Sequence, residues 1–282
     1  MKKNEMIFKQ EYQQYAICIE DLSFSYGEKE DVSLSLKIKK GEKVCLLGHN
    51  GSGKSTLLKL IDGLLVPKSG NIYINGYLLD DNSSYFSRRD IGLLFQNPDS
   101  QFVGTTVKDD LIFSLENENV DPSIMDELID ESLKEVDMLD YKNREPVSLS
   151  GGQKQRVNLA SMFILKKNIL LFDEAKSMLD PKGKADMERI LEKKIKENEN
   201  LTIIDVTHDI EDTSIFNRAI VLNSGKIIYD GDKISLFKDK EKLTKYKIKP
   251  PFLYEFLSYF KDKNTDNIDD ISSLKEFLCQ LK

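Results

Sequence analysis

The stretch that most constrains this chain is "GHNGSGKST", Gly48 to Thr56. It satisfies G-x-x-x-x-G-K-[ST] between "KVCLLG", an apolar run closed by glycine, and "KSTLLKLIDGLL", which has helical spacing. A buried parallel strand that passes through a glycine loop into a helix calls for a sheet with helices packed on its faces. Gly48, Gly51 and Gly53 free the backbone to aim N–H groups at phosphate oxygens, where the helix dipole favours negative charge. Asn50, Ser52 and Thr56 line the same loop. Lys54 would reach the β- and γ-phosphates of a nucleotide, and Ser55 would place its hydroxyl on Mg²⁺.

A second strand, "NILLFDE", Asn168 to Glu174, ends in two carboxylates. Adjacent acids after a strand can be a solvated loop or a helix cap. Beside the glycine loop they read instead as an Mg²⁺ ligand acting through water, Asp173, and a general base for the water that attacks the γ-phosphate, Glu174. His208 ends the strand "LTIIDVTH" and is one of two histidines. A lone histidine there is commonly structural, but a parallel neighbour of the Asp173–Glu174 strand would bring it near the γ-phosphate. His49 lies inside the loop, where backbone binds phosphate, and reads as packing or solvent-facing. Gln96 follows the strand "IGLLF", which Asn97-Pro98 stop, and its amide can bond both Mg²⁺-bound and attacking water. Tyr26, before Gly27, is either a platform for adenine or an ordinary strand aromatic.

Bulk properties narrow the rest. The 282 residues, with 40% hydrophobic and 32% charged, describe a globular protein with a sizeable core. A net charge of −7 argues against a chain that coats nucleic acid, because phosphate contacts need a lysine and arginine surplus. Cys18, Cys45 and Cys279 fit no metal or redox spacing, so they read as packing residues of a reducing compartment. The start has no signal-peptide core, and no window reaches the roughly 18 apolar residues of a membrane span, so a cytosolic or peripheral protein is expected.

Along the chain, "YAICIEDLSFSYG" and "VSLSLKIKKGE" read as antiparallel strands. From Asp121 the pattern turns helical, with Asp121 as cap, Pro122 at the first position and Ile124, Leu128, Ile129, Leu133 and Val136 on one face. Then come "QRVNLASMFI" (helix), "NILLFDE" (strand), "PKGKADMERILEKKI" (helix), "LTIIDVTHD" (strand) and the hairpin "RAIVLNSGKIIYDG". After Pro250-Pro251, Phe252, Phe256 and Phe260 mark an amphipathic helix, and Ile271, Leu274, Phe277, Leu278 and Leu281 another.

Tyr26, "GHNGSGKST", Gln96, "LSGGQ", "LLFDE", "SMLD" and His208, in that order, resemble the motif set of ABC-type ATPases over about residues 15–240. The resemblance implies an α/β fold: a P-loop NTPase with a RecA-like mixed sheet core, an antiparallel β subdomain and a helical subdomain over about 98–160. It divides the chain into an N-terminal tail 1–14, an ATPase domain 15–242 and a C-terminal helical extension 243–282 that would dimerise. "FQNPDSQFVGTTVKDDL" with "KPPFLYEFL" further resembles the energy-coupling ATPases of ECF-type vitamin and metal transporters, the first of the two kinds they use.

The family also accounts for the second glycine loop, "LSGGQKQRV". It implies a head-to-tail dimer in which Ser150, Gly151 and Gly152 of one subunit close on the γ-phosphate of ATP held by Gly48 to Thr56 of the other. Gln153 would shape that loop. Asp180 would lie at the interface, although it also reads as the cap before Pro181. The implied partners are a second ATPase subunit, heterodimer over homodimer, a transmembrane coupling subunit and a substrate-binding membrane subunit, with no nucleic acid. They place the chain at the cytoplasmic face of the membrane. Phe102 and Val103 would line the groove for the membrane partner or pack in the core, with Asp109 and Asp110 as surface charges beside it. Two residues depart from the family: Lys176, where a small hydroxyl residue is usual, and Asp212, where glutamate is. Lys176 reads as a solvated lysine, or as a charge that lowers the pKa of Glu174. A soluble ABC protein acting on ribosomes or DNA, and a regulatory nucleotide sensor, are the rival readings.

Overall fold

The computed structural model describes residues 7–27, 31–80, 88–207, 215–257, 259 and 274. β1 (Tyr15–Phe24) and β2 (Val32–Lys39) pair antiparallel, and β3 (Lys43–Leu47) feeds the glycine loop and α1 (Lys54–Ile61). β4 (Ser69–Ile74) returns to β1 with the short β5 (Tyr77–Leu78). β6 (Ile91–Leu94) leads into a helical region, α2 (Val107–Asn117), α3 (Pro122–Glu135) and α4 (Gly151–Ile164). β7 (Ile169–Asp173), α5 (Pro181–Glu197), β8 (Thr202–Val206), β9 (Arg218–Asn223) and β10 (Lys226–Asp232) follow, then α6 (Lys233–Lys238), α7 (Lys240–Tyr246) and α8 (Phe252–Leu257).

Among the described residues the strands form two sheets. One is antiparallel, in the order β2-β1-β4-β5. The other runs β10-β9-β3-β8-β7-β6, parallel from β9 to β6 with β10 as an antiparallel edge. This is the mixed α/β sheet that the family resemblance implies.

Strand alternation divides the apolar residues between two cores. Val44, Leu46, Ile169, Leu171, Ile204, Val206, Ile220 and Leu222 face α1 and the antiparallel sheet. Cys45, Leu47, Leu170, Phe172, Ile203, Ala219 and Val221 face the helical side, with Val157, Leu159 and Met187. α1 is thus held between the two sheets, which fixes the direction of its N-terminus.

Local chemistry explains the connections. Ser224 and Gly225 both have positive φ, 47° and 73°, and join Asn223 to its partner Lys226 in the tight two-residue hairpin turn. Asp121 accepts from Ser123 N ahead of Pro122 and so starts α3 as the spacing predicts. Ile124 is the exception on that face, since it is exposed. Before β1, Phe8 bridges Tyr77 and Tyr12 is buried against Tyr73. Cys18 and Cys45 are buried, and burial pushes the Cys45 thiol up to about 12, so it stays protonated as a packing residue. Phe252 and Phe256 stack on α8. Phe260, Cys279 and the second tail helix, apart from Leu274, lie outside the described residues.

Candidate nucleotide site

The parallel sheet gathers the candidate residues at one edge. Leu46 is level with Val206 of β8, Asp173 of β7 is level with the same Val206, and Leu94 of β6 is level with Phe172. The carboxyl ends of β3, β8, β7 and β6 are therefore neighbours. From them leave the glycine loop, the Val206–Thr207 end that precedes His208, the Asp173–Glu174 pair and the turn with Gln96. Ligands of parallel α/β sheets bind at such an edge. His208 and Asp212 themselves lie outside the described residues.

The loop is anchored from both sides. Ser33 N donates to Gly225 O and Gly225 N to Ser52 O, which ties the loop to the start of β2 and the β9–β10 turn. Gly53 caps α1 with φ 100°, and Gly48 has φ 146° with Leu222 O only 2.3 Å from where a Cβ would stand. The fold itself requires glycine at both positions. His49 is exposed and its ring nitrogens lie 2.7 Å from Asn50 O and 3.0 Å from Asn223 Oδ1, so it fastens the loop to the turn. Ser52 Oγ is buried with no hydrogen-bond partner among the described residues.

The Lys54 ammonium folds back on the loop, donating to Gly48 O at 2.8 Å and His49 O at 3.1 Å. Burial holds it below the ordinary lysine range, against the pull of Glu174 and Asp173. A bound polyphosphate would remove that penalty by supplying countercharge. Ser55 Oγ donates to Asp173 Oδ1 at 2.7 Å, so the two oxygens that would share a hard cation are already together. Burial raises the Asp173 carboxyl above its usual range; the Ser55 hydrogen bond opposes this and Glu174 adds to it. A cation there would reverse the burial penalty, so the donor set fits Mg²⁺.

Glu174 has φ 54°, a left-handed conformation uncommon for a side-chain-bearing residue. Its backbone is held by Glu174 N to Val206 O at 3.0 Å and by the Ser177 hydroxyl on Glu174 O at 2.7 Å. Tyr26 is 65% exposed, edge-on to Phe24, and its N–H donates to Asp31 Oδ2. Asp31 O lies 3.2 Å from where a Gly53 Cβ would stand, so Tyr26 is tied to the loop's flank with its ring open to a ligand.

The second glycine loop opens α4. Ser150 caps it: its hydroxyl accepts from Gln153 N at 3.3 Å, and Gln153 Oε1 accepts from Ser150 N at 2.8 Å. A Cβ on Gly151 would meet nothing nearer than Met178 O at 3.9 Å, and one on Gly152 nothing nearer than Leu179 Cδ2 at 3.8 Å. Neither glycine is needed by the chain's own packing. Asp180 caps α5 through Gly183 N at 2.7 Å and is exposed beside this loop.

Sequence reading missed what holds Gln96. Gln96 is exposed, but Gln155 Nε2 donates to Phe95 O at 3.0 Å, Gln101 grips Phe95 N and Leu93 O, and Asn158 Nδ2 reaches Pro98 O at 3.4 Å. The signal was available: Gln155 and Asn158 interrupt the apolar side of "QRVNLASMFI". Replacing Gln155 by Leu removes the hydrogen bond to the half-buried Phe95 O, and the free energy of unfolding should fall by about 0.5–1.5 kcal/mol. Turnover should fall further than ATP affinity; loss of affinity alone would contradict a role confined to Gln96. Thermal melting and steady-state kinetics decide.

Two expectations are corrected. Lys176 is not solvated: it is 4% exposed and its ammonium pairs with buried Asp205 at 3.1 Å. Asp110 is not a surface charge, because Oδ1 accepts from Val103 N at 2.8 Å and Gly104 N at 3.0 Å inside the loop. Asp109 forms the capping box of α2 with Thr106. Phe102 packs on the core while Val103 is 68% exposed, so the pair divides between the two readings.

A family model for the ABC transporter matches residues 23–177. The energy-coupling factor transporter ATP-binding protein EcfA of Malacoplasma penetrans is 39% identical, covering 100% of this chain and 97% of the relative. EcfA1 of Enterococcus faecalis is 44% identical over 83% of this chain and 85% of its own. The solved structure of cbiO1 from Clostridium perfringens, described as part of the ABC transporter complex cbiONQ, superposes with a TM-score of 0.74 at 30% identity. It covers 87% of this chain and 99% of that one. Fold and strand-edge site define a P-loop ATPase of the ABC class. The chain belongs to the family of energy-coupling factor transporter ATP-binding proteins.

Proposed function

We propose that the chain hydrolyses Mg-ATP as one half of a head-to-tail ATPase pair, energising uptake of a vitamin, metal ion or other micronutrient through separate membrane subunits. The observation that carries this is the pair of phosphate-ready helix ends in one chain, of which the second has glycines that its own fold does not use. Ser150, Gly151 and Gly152 then complete the nucleotide site of the partner, shaped by Gln153, with Asp180 beside the contact. Tyr26 stacks on adenine. The backbone of Gly48, Asn50, Gly51, Ser52, Gly53 and Thr56 cradles the phosphates, and Lys54 exchanges its two carbonyl partners for β- and γ-oxygens.

Ser55, Asp173 and Gln96 would hold Mg²⁺, directly or through water, where it neutralises charge on the phosphates. Glu174 accepts a proton from water as the water oxygen bonds to the γ-phosphorus and the bond to the bridging oxygen breaks, giving ADP and phosphate. Gln96 orients that water, and His208 contacts the γ-phosphate. The second subunit is more consistent with a related ATPase than with an identical copy, and residues 243–282 hold the two together between cycles. No helix among the described residues is long and apolar enough to cross a membrane. Membrane attachment in this reading is through partners, at the cytoplasmic face.

Affinity purification of the tagged chain from native membranes should bring down an ATPase subunit, a coupling subunit and a substrate-binding subunit. Deleting residues 245–282 should release the second ATPase when ATP is withheld. Recovery of ribosomal or DNA-bound partners instead would overturn the assignment.

A further inference from the structure

Lys176 and Asp205 form a buried ion pair inside the core on the helical face of the large sheet. Asp205 is level with Cys45 on β3 and Phe172 on β7, both members of that core, and its side chain is 1% exposed. The Lys176 ammonium, 3.1 Å from Asp205 Oδ2, also lies 5.5 Å from the centre of the buried Phe216 ring. Charges are placed in such surroundings only when matched, because each alone carries a large desolvation cost.

The position of the pair matters more than its stability. Lys176 stands two residues beyond Glu174, within the left-handed turn that Ser177 closes, and Leu179 N donates to Lys176 O at 3.1 Å on the way to Asp180. Asp205, on β8, precedes His208 by three residues in the sequence, and Phe216 follows the segment 208–214 by two. A single ammonium thus joins the turn of the candidate base to the strand before that segment and to a residue after it. The backbone bond from Glu174 N to Val206 O ties the same turn to β8 from its other end.

We infer that Lys176 is a positioning residue for hydrolysis, its ion pair with Asp205 fixing the Glu174 turn and the interfacial stretch through Asp180 against β8. The inference rests on the ATPase reading above. A merely structural pair would be replaceable by apolar residues of similar volume at no cost to turnover, since such replacement commonly keeps or raises stability.

The test is the full-length chain purified with its transporter partners, carrying K176M/D205L, D205N or K176R, with wild type and Glu174→Gln alongside. For K176M/D205L we expect a melting temperature no lower than wild type, ATP KM within about twofold and kcat reduced by about 10- to 100-fold, the scale of a misplaced catalytic group. K176R should retain most of kcat. D205N keeps the volume of the site but leaves the ammonium unmatched, so its melting temperature should fall; assayed below that temperature it should lower kcat without raising KM, and it supplies the answer if the double variant does not fold. Wild-type kcat in K176M/D205L or in D205N would overturn the inference while leaving the ATPase reading intact. An inactive wild type would overturn the ATPase reading itself.

Discussion

Glu174→Gln should lower ATP turnover by about 10²- to 10⁴-fold, the range for loss of a general base, while ATP still binds. The amide keeps the size of the carboxylate but cannot take the proton of the attacking water. The turn should survive, because its left-handed backbone is held by Val206 O and the Ser177 hydroxyl, neither of which the substitution touches. The variant should therefore accumulate as an ATP-loaded dimer. Phosphate release and light scattering with and without ATP measure both halves of the prediction, and an unchanged rate would remove Glu174 from the role of base.

Gly151→Ala separates the demands of the fold from those of the site. The methyl would meet Met178 O at 3.9 Å, an ordinary contact, and alanine favours helix over glycine by up to about 1 kcal/mol. Melting temperature should hold or rise. Turnover should nevertheless fall at least about tenfold, because the added carbon stands where a phosphate oxygen of the partner's nucleotide would approach the helix end. ATP binding by this chain's own loop should be unaffected. Gly48→Ala should behave in the opposite way: its Cβ would lie 2.3 Å from Leu222 O, so the fold fails before the site does. If Gly151→Ala retained full turnover, the second helix end would not be facing a nucleotide.

Much of the fold and of the site is legible in the amino-acid order, for a local reason. A phosphate loop has to follow a buried strand and open a helix, so periodicity, glycines and lysine fall within one short stretch, Lys43 to Ile61. The same holds for Asp173–Glu174 after β7 and for the Ser150–Gln153 capping box, whose bonds span three residues. Gln155 and Asn158 are harder to read, because the groups they bind, Phe95 O and Pro98 O, belong to a different element. Asp110 resembles a surface charge because nothing near it in sequence reveals that it folds back on Val103 and Gly104.

By itself the sequence determined the class of fold, which strands end at the site and the residue types that can hold a triphosphate, since these follow from short-range spacing and backbone hydrogen bonding. Only the tertiary structure decided which charges are in water and which are in the core. Lys176 is the clearest case: whether a lysine can be buried depends on a carboxylate from another strand, and packing alone brought Asp205 to it.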